Sequence, residues 1–450
     1  MARRIYETGG RPWRLTACAC SCAALAACAS DGPTLPKLSD LNPFAEKQQP
    51  LPGRRVPIVQ TTESISSNLA EATGPLVLPP QHANDSWSQP GGEATNAPGH
   101  LALNGTVREI WTASAGEGSS KTGRITASPI VFDGRIYTLD AAAMVSAFAL
   151  TGGKLYSIST VPETESGEGG GHGGGLAADN GRLYVANGYG VVAALDPQSG
   201  KAIWMKNLGA PIRSAPTAAG DRVFVTTIQG KFFCLSGADG AELWSARGLP
   251  QPASLTISTS PAVNGEIVVV PYPSGDVMAL KISDGTPVWS ENLARTRQTS
   301  QLASMSDAAR PAIDGDTVFA VGHAGRMVAT KSQTGERLWS INVPGTQAPW
   351  VAGDTVYVVD TTGKLMALAR ADGKTRWTAQ LPDSKTWSGP VLAGGILWLA
   401  SSKGKLIGVD AATGKAGGEL DIGDPVYIPP VVAQGRMFVL TDSAKLVALN

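Results

Sequence analysis

The side chains of this chain best suited to acid–base, nucleophilic or metal chemistry are four histidines, His82, His100, His172 and His323, and five cysteines, Cys18, Cys20, Cys22, Cys28 and Cys234. Metal and catalytic centres made of such residues need partners a turn or a short loop away, and no pair of these histidines has that spacing. The run from Gly167 to Gly175 has the composition of a phosphate cradle. A cradle also needs a helix N-terminus behind its glycines, and the next element here is a strand from Gly181 to Ala186, so the run reads as a flexible loop. The carboxylates in the Asp-Gly turns serve the backbone and are not candidate acid–base pairs. No cofactor, metal or catalytic residue is expected.

The cysteines carry a different chemistry. Arg3, Arg4, Arg11 and Arg14 precede an apolar stretch from Leu15 to Ala27, which has the length of a secretory signal and is too short to span a bilayer as a helix. It ends in Leu25-Ala26-Ala27-Cys28, the pattern of a bacterial lipobox, so Cys28 is expected to carry lipid after the first 27 residues are removed. Ala29 is not the aspartate that favours inner-membrane retention, which leaves the outer membrane as the expected site of anchoring. Cys234 is then the last cysteine of the mature chain, and no disulfide framework is possible. It stands where sibling repeats have Ala194, Ala279, Ala329 and Ala367, the position of a small buried residue. Thirty-seven Lys and Arg balance 37 Asp and Glu, without the basic excess of a nucleic-acid binder.

The repeats supply the architecture. From Ser128 onward the chain recurs as a short strand, a Gly-containing turn, two further strands and Gly-x-x-x-Trp. Aligned on the last glycine, the copies read Gly152 to Tyr156, Gly200 to Trp204, Gly240 to Trp244, Gly285 to Trp289, Gly335 to Trp339, Gly373 to Trp377 and Gly414 to Gly418. Steps of 38 to 50 residues between the aromatic positions suit one four-stranded blade each. First-hairpin turns fall at Asp133-Gly134, Asn180-Gly181, Gly220-Asp221, Asn264-Gly265, Asp314-Gly315, Gly353-Asp354, Gly394-Gly395 and Gln434-Gly435. The last repeat has three strands, and Val107 to Trp111 is a fourth strand with no blade of its own. The prediction is an all-β chain, an eight-bladed β-propeller closed by that N-terminal strand. Residues 1–27 are the signal, 28–104 a proline-rich tether partly docked on the propeller, and 105–450 the blades. The repeated tryptophans are expected to stack between neighbouring blades.

Repeats of the form Val192-Ala193-Ala194-Leu195-Asp196, then Gly200-Lys201 and Trp204, resemble the pyrroloquinoline-quinone type propeller repeat, from about Trp111 to Asn450. One family with this repeat, the quinoprotein dehydrogenases, holds its quinone against an adjacent-cysteine disulfide, and this sequence has no adjacent cysteines. The chain is more similar to the other, the outer-membrane assembly factor BamB family of lipoproteins. That resemblance implies a non-catalytic scaffold of the barrel-assembly complex that binds the POTRA domains of BamA. It also implies contact residues: Ile212 and Arg213 in Ala210-Pro211-Ile212-Arg213-Ser214-Ala215-Pro216, and Asp307 in a second loop. The longest connections, 157–176 and 290–310, are expected on the same rim as Ile212 and Arg213. Two other readings stay open at this point, a quinone-dependent periplasmic dehydrogenase and an unrelated lipoprotein propeller for a cell-envelope ligand.

Overall fold

The computed structural model describes residues 76–103, 105–121, 123–165, 173–248, 259–293 and 308–450. Cys28, the signal segment, His172 and Asp307 lie outside the described residues, as do residues 166–172 and 294–307 of the two long connections.

The second strand of each repeat is a run of β-branched and aromatic residues, Arg222-Val223-Phe224-Val225-Thr226 in the third copy, and all but its first residue are buried. Burial on both faces is what a strand in the middle of a face-to-face stack requires. The fourth strands alternate instead, as in Ala202–Asn207 and Glu242–Arg247, because they lie on the outer surface of the stack. Among the described residues every element is a strand, and the strands form eight four-stranded antiparallel sheets. Blade one comprises Ile130–Phe132, Arg135–Leu139, Met144–Ala149 and Lys154–Ser159. Six further blades succeed it in sequence order, and blade eight joins Val431–Ala433, Arg436–Leu440 and Lys445–Leu449 to Glu109–Ser114 from the front of the chain. The closing strand thus begins two residues later than the sequence suggests and runs three residues further. Its register pairs Trp111 with Ala448 and Ser114 with Lys445.

Two of the first-hairpin turns lie one residue later than their sequence pairs imply. Asn264 and Asp314 still belong to the inner strands, so the turn pairs are Gly265-Glu266 and Gly315-Asp316, with positive φ on the glycine alone. A glycine in the first central position is the chemistry of a type II′ turn.

Blade-to-blade contact is made by one device used seven times. Each outer-strand aromatic stacks under the turn glycine of the next blade, so closely that a Cβ on Gly240 would lie 2.7 Å from Trp204 and one on Gly335 2.6 Å from Trp289. The indole N–H then donates to a carbonyl of that neighbouring blade: Trp111 to Leu150, Trp204 to Gly237, Trp244 to Ile282, Trp289 to Ser332, Trp339 to Arg370 and Trp377 to Ala411. Tyr156 does the same with its hydroxyl on Pro197. The residue opposite each aromatic on the third strand must be small, and a bulge in the pairing comes directly after it. Cys234 is that residue for Trp244, fully buried and free of any disulfide.

Residues 82–103 do more than dock on a wall. They run once around the inside of the ring. Asn84 bonds the first hairpin of blade eight, at Val432 and Gln434, and Trp87 pairs with Val131 of blade one. Ser88 accepts from Ala178 of blade two, and the Gln89 side chain bridges Ala178 to Ala218 of blade three. Ala94 accepts from Val263 of blade four and Thr95 from Ile313 of blade five, while Asn96 Nδ2 donates to Pro311. Gly99 accepts from the Trp350 indole of blade six, and Leu101 exchanges bonds with Leu392 and Gly394 of blade seven. His82 then pairs with residues 100 and 102, so the circuit closes on itself. The innermost strand of every propeller blade has an open edge toward the channel, and this collar supplies partners for it.

Candidate functional site: the mouth of the central channel

The loops that lead into the inner strands repeat a short pattern, a small residue and then, in most copies, proline. The equivalent positions are Ser128, Gly175, Ala215, Ser260, Arg310, Ala348, Gly389 and Pro429. Five of them, Ser128, Arg310, Ala348, Gly389 and Pro429, line one end of the channel, where the collar forms a floor with Trp87, Pro90, Gly91 and Asn96. Between them lies a cavity of about 860 Å³. Its walls hold Lys121, Arg124, Arg213 and Arg310 against one acid, Asp442, and that acid is taken up by the Ser119 hydroxyl. None of the four cations forms an ion pair among the described residues. Trp87 and Trp350 stack with ring centroids 6.3 Å apart beside it.

Arg310 is the unusual member. It is 6% exposed, its Nε has no hydrogen-bond partner among the described residues, and burial pushes the guanidinium down to about 10. Trp87 Nε1 and His323 Nδ1, on residues lining the same cavity, are buried without such partners too. Among the described residues no three His, Cys, Asp or Glu side chains are grouped as metal ligands. His82 and His100 belong to the collar, the second as a structural residue: its Nδ1 faces the Pro79 carbonyl at 2.7 Å and its Nε2 accepts from the Gly395 N–H at 2.9 Å.

The residues expected at the partner contact separate. Arg213 is half-buried and lines the mouth of the channel. Ile212 is fully buried, which corrects the exposure expected of it. Its N–H bonds the Asn187 carbonyl, and its side chain packs with Tyr184, Val225 and Phe233 between blades two and three. The interior between the blades is where an aliphatic side chain gains most from leaving water. The glycine run has a structural end: Gly174 and Gly175 belong to the inner strand of blade two, and a Cβ on Gly175 would lie 2.4 Å from Ala215 Cβ. Sequence reasoning passed over Arg310, although it is the one charged residue in eight equivalent repeat positions.

The family model described as outer membrane protein assembly factor BamB matches residues 99–379 and 372–450 of this chain. A protein of Rickettsia prowazekii named only as uncharacterised is 32% identical over 171 residues, 37% of this chain and 40% of its own length. The outer membrane protein assembly factor BamB of Nitrosomonas eutropha is 24% identical over 197 residues, 44% of this chain and 45% of the relative. The aligned stretches thus span less than half of these relatives. Among solved structures, BamB from Moraxella catarrhalis superposes with a TM-score of 0.68 at 16% identity, covering 77% of this chain and 100% of that one. A quinohemoprotein alcohol dehydrogenase from Comamonas testosteroni superposes with a TM-score of 0.66 at 13% identity, covering 81% of this chain and 80% of the enzyme. At such identities both show the propeller and nothing finer.

Proposed function

Because the chain belongs to the outer membrane protein assembly factor BamB family, we propose that it is a non-catalytic scaffold of the barrel-assembly machinery. The family match along the whole propeller is the observation that carries this reading. Anchored through lipid on Cys28 to the periplasmic face of the outer membrane, the propeller presents the channel-mouth face to the POTRA domains of BamA and aids insertion of β-barrel proteins. Arg213 supplies a charge at that face, Asp307 belongs to the connection between blades four and five, and Ile212 is the packed seat that holds the Arg213 loop in place. A rigid ring with its longest connections on one rim is a suitable platform for such recognition.

The test is co-purification from solubilised outer membrane, with BamA expected in the eluate of the wild-type chain. Arg213→Glu should weaken binding to isolated POTRA domains roughly tenfold or more without changing thermal stability. Ile212→Ala should lower the melting temperature instead. Full POTRA affinity of Arg213→Glu would remove this loop from the contact, and the absence of BamA from wild-type eluates would overturn the scaffold reading. A Cys28→Ser chain that stays membrane-bound would overturn the anchor. A quinone-dependent dehydrogenase has the shared propeller in its favour, and a quinone chromophore in the purified protein would establish it.

A further inference from the structure

Native proteins rarely leave a buried donor unpaired, and an unpaired buried charge is costlier still. Here three groups without partners among the described residues, Arg310 Nε, Trp87 Nε1 and His323 Nδ1, belong to residues around one cavity, with Arg124, Arg213 and Lys121 on its walls. The indole and guanidinium nitrogens can only donate. The repeat itself shows that Arg310 is not required by the fold, since its seven counterparts are small residues or proline. Two of the unpartnered donors come from separate parts of the chain, Trp87 from the collar and Arg310 from the entry to blade five, so the collar completes the arrangement. A ligand that satisfied them would carry several acceptor oxygens and negative charge at one end. The apolar rest of it would lie along Trp350, Pro349 and Pro390.

We propose that the channel mouth is a binding site for a carboxylate-bearing ligand, with Arg310 as its central charge partner and Trp87 as a second donor. The volume suits a small organic acid or the free carboxyl end of a short peptide, a size usual for ligand pockets. Nothing in this site depends on contact with BamA.

Two probes separate the sources: benzene-1,3,5-tricarboxylate, with the matching tricarboxamide as its uncharged control, and a five-residue peptide with a free or an amidated C-terminus. Calorimetry and thermal shift on the whole mature chain are expected to show binding of the tricarboxylate, or of the free-ended peptide, and none of the uncharged counterparts. Binding should weaken with salt. Arg310→Met should reduce affinity roughly tenfold or more, the usual effect of losing a hydrogen bond to a charged group. With no ligand added the same variant should melt at or above the wild-type temperature, because it removes an unpaired buried charge. Trp87→Phe gives a second, independent loss of affinity. Equal binding of charged and uncharged probes, or no binding of either carboxylate probe at millimolar concentration, would overturn the proposal. So would an Arg310→Met chain that is destabilised in the absence of ligand.

Discussion

Seven of the eight junctions between blades are locked by an aromatic and a glycine, and the eighth, between blades seven and eight, is not. At the outer-strand position of blade seven stands Gly418, opposite Gly408, and the space is filled from the second strand by Trp398 and Ile396. The difference has a topological cause. The glycine that caps each aromatic belongs to the turn between third and fourth strands of the next blade. Blade eight has no such turn, because its fourth strand comes from the front of the chain. An aromatic there would have nothing to stack under, so the one break in the repeat marks where the ring is closed without covalent continuity.

The comparison can be broken most severely by removing the closing strand. A chain starting at Gly116 lacks both Glu109–Ser114 and the collar, and it is expected to aggregate or to lose its cooperative thermal transition. A chain starting at Gly105 keeps the strand and loses only the collar. It should fold, melt several degrees lower, and exchange the amide hydrogens of Val131, Ala178, Val263 and Ile313 far faster, since their acceptors lie in the collar. Breaking one aromatic lock comes next: Trp289→Ala should cost about 3–5 kcal/mol in denaturant unfolding. Gly418→Trp sharpens the contrast, because an aromatic without a capping glycine should yield no gain in stability. Smallest is Cys234→Ala, which restores the residue of the sibling repeats and should leave stability within about 1 kcal/mol. Burial pushes the Cys234 thiol up to about 12, so native protein at mildly alkaline pH should resist alkylation that denatured protein undergoes readily.

The ring was readable because each blade states the same constraints. Turn glycines, β-branched second strands and the aromatic lock recur, and even the orphan strand near Trp111 could be assigned by counting. What escaped was everything that depends on distance in the chain. Collar residues such as Asn84, Gln89 and Asn96 act through polar side chains aimed at separate inner strands, and irregular backbone of this kind has no periodicity to betray it. Pattern reading therefore saw a proline-rich tether partly docked on the propeller, where residues 82–103 in fact line the channel. Ile212 failed for a related reason, since the motif that marks its loop does not say which side chain turns inward. Arg310 left a signal of a different kind, a break in an otherwise uniform column of the repeat.

The collar also sets an order on folding. Its acceptors and donors meet partners from Val131 near the front of the ring to Gln434 near the end of the chain, and the closing strand pairs with Lys445–Leu449. A polypeptide that emerges N-terminus first therefore exposes these segments long before their partners exist. Neither end can settle until the last repeat has arrived, so acquisition of the native ring is a late, all-at-once event. Loop-closure entropy across nearly the whole length of the propeller opposes that step and slows it.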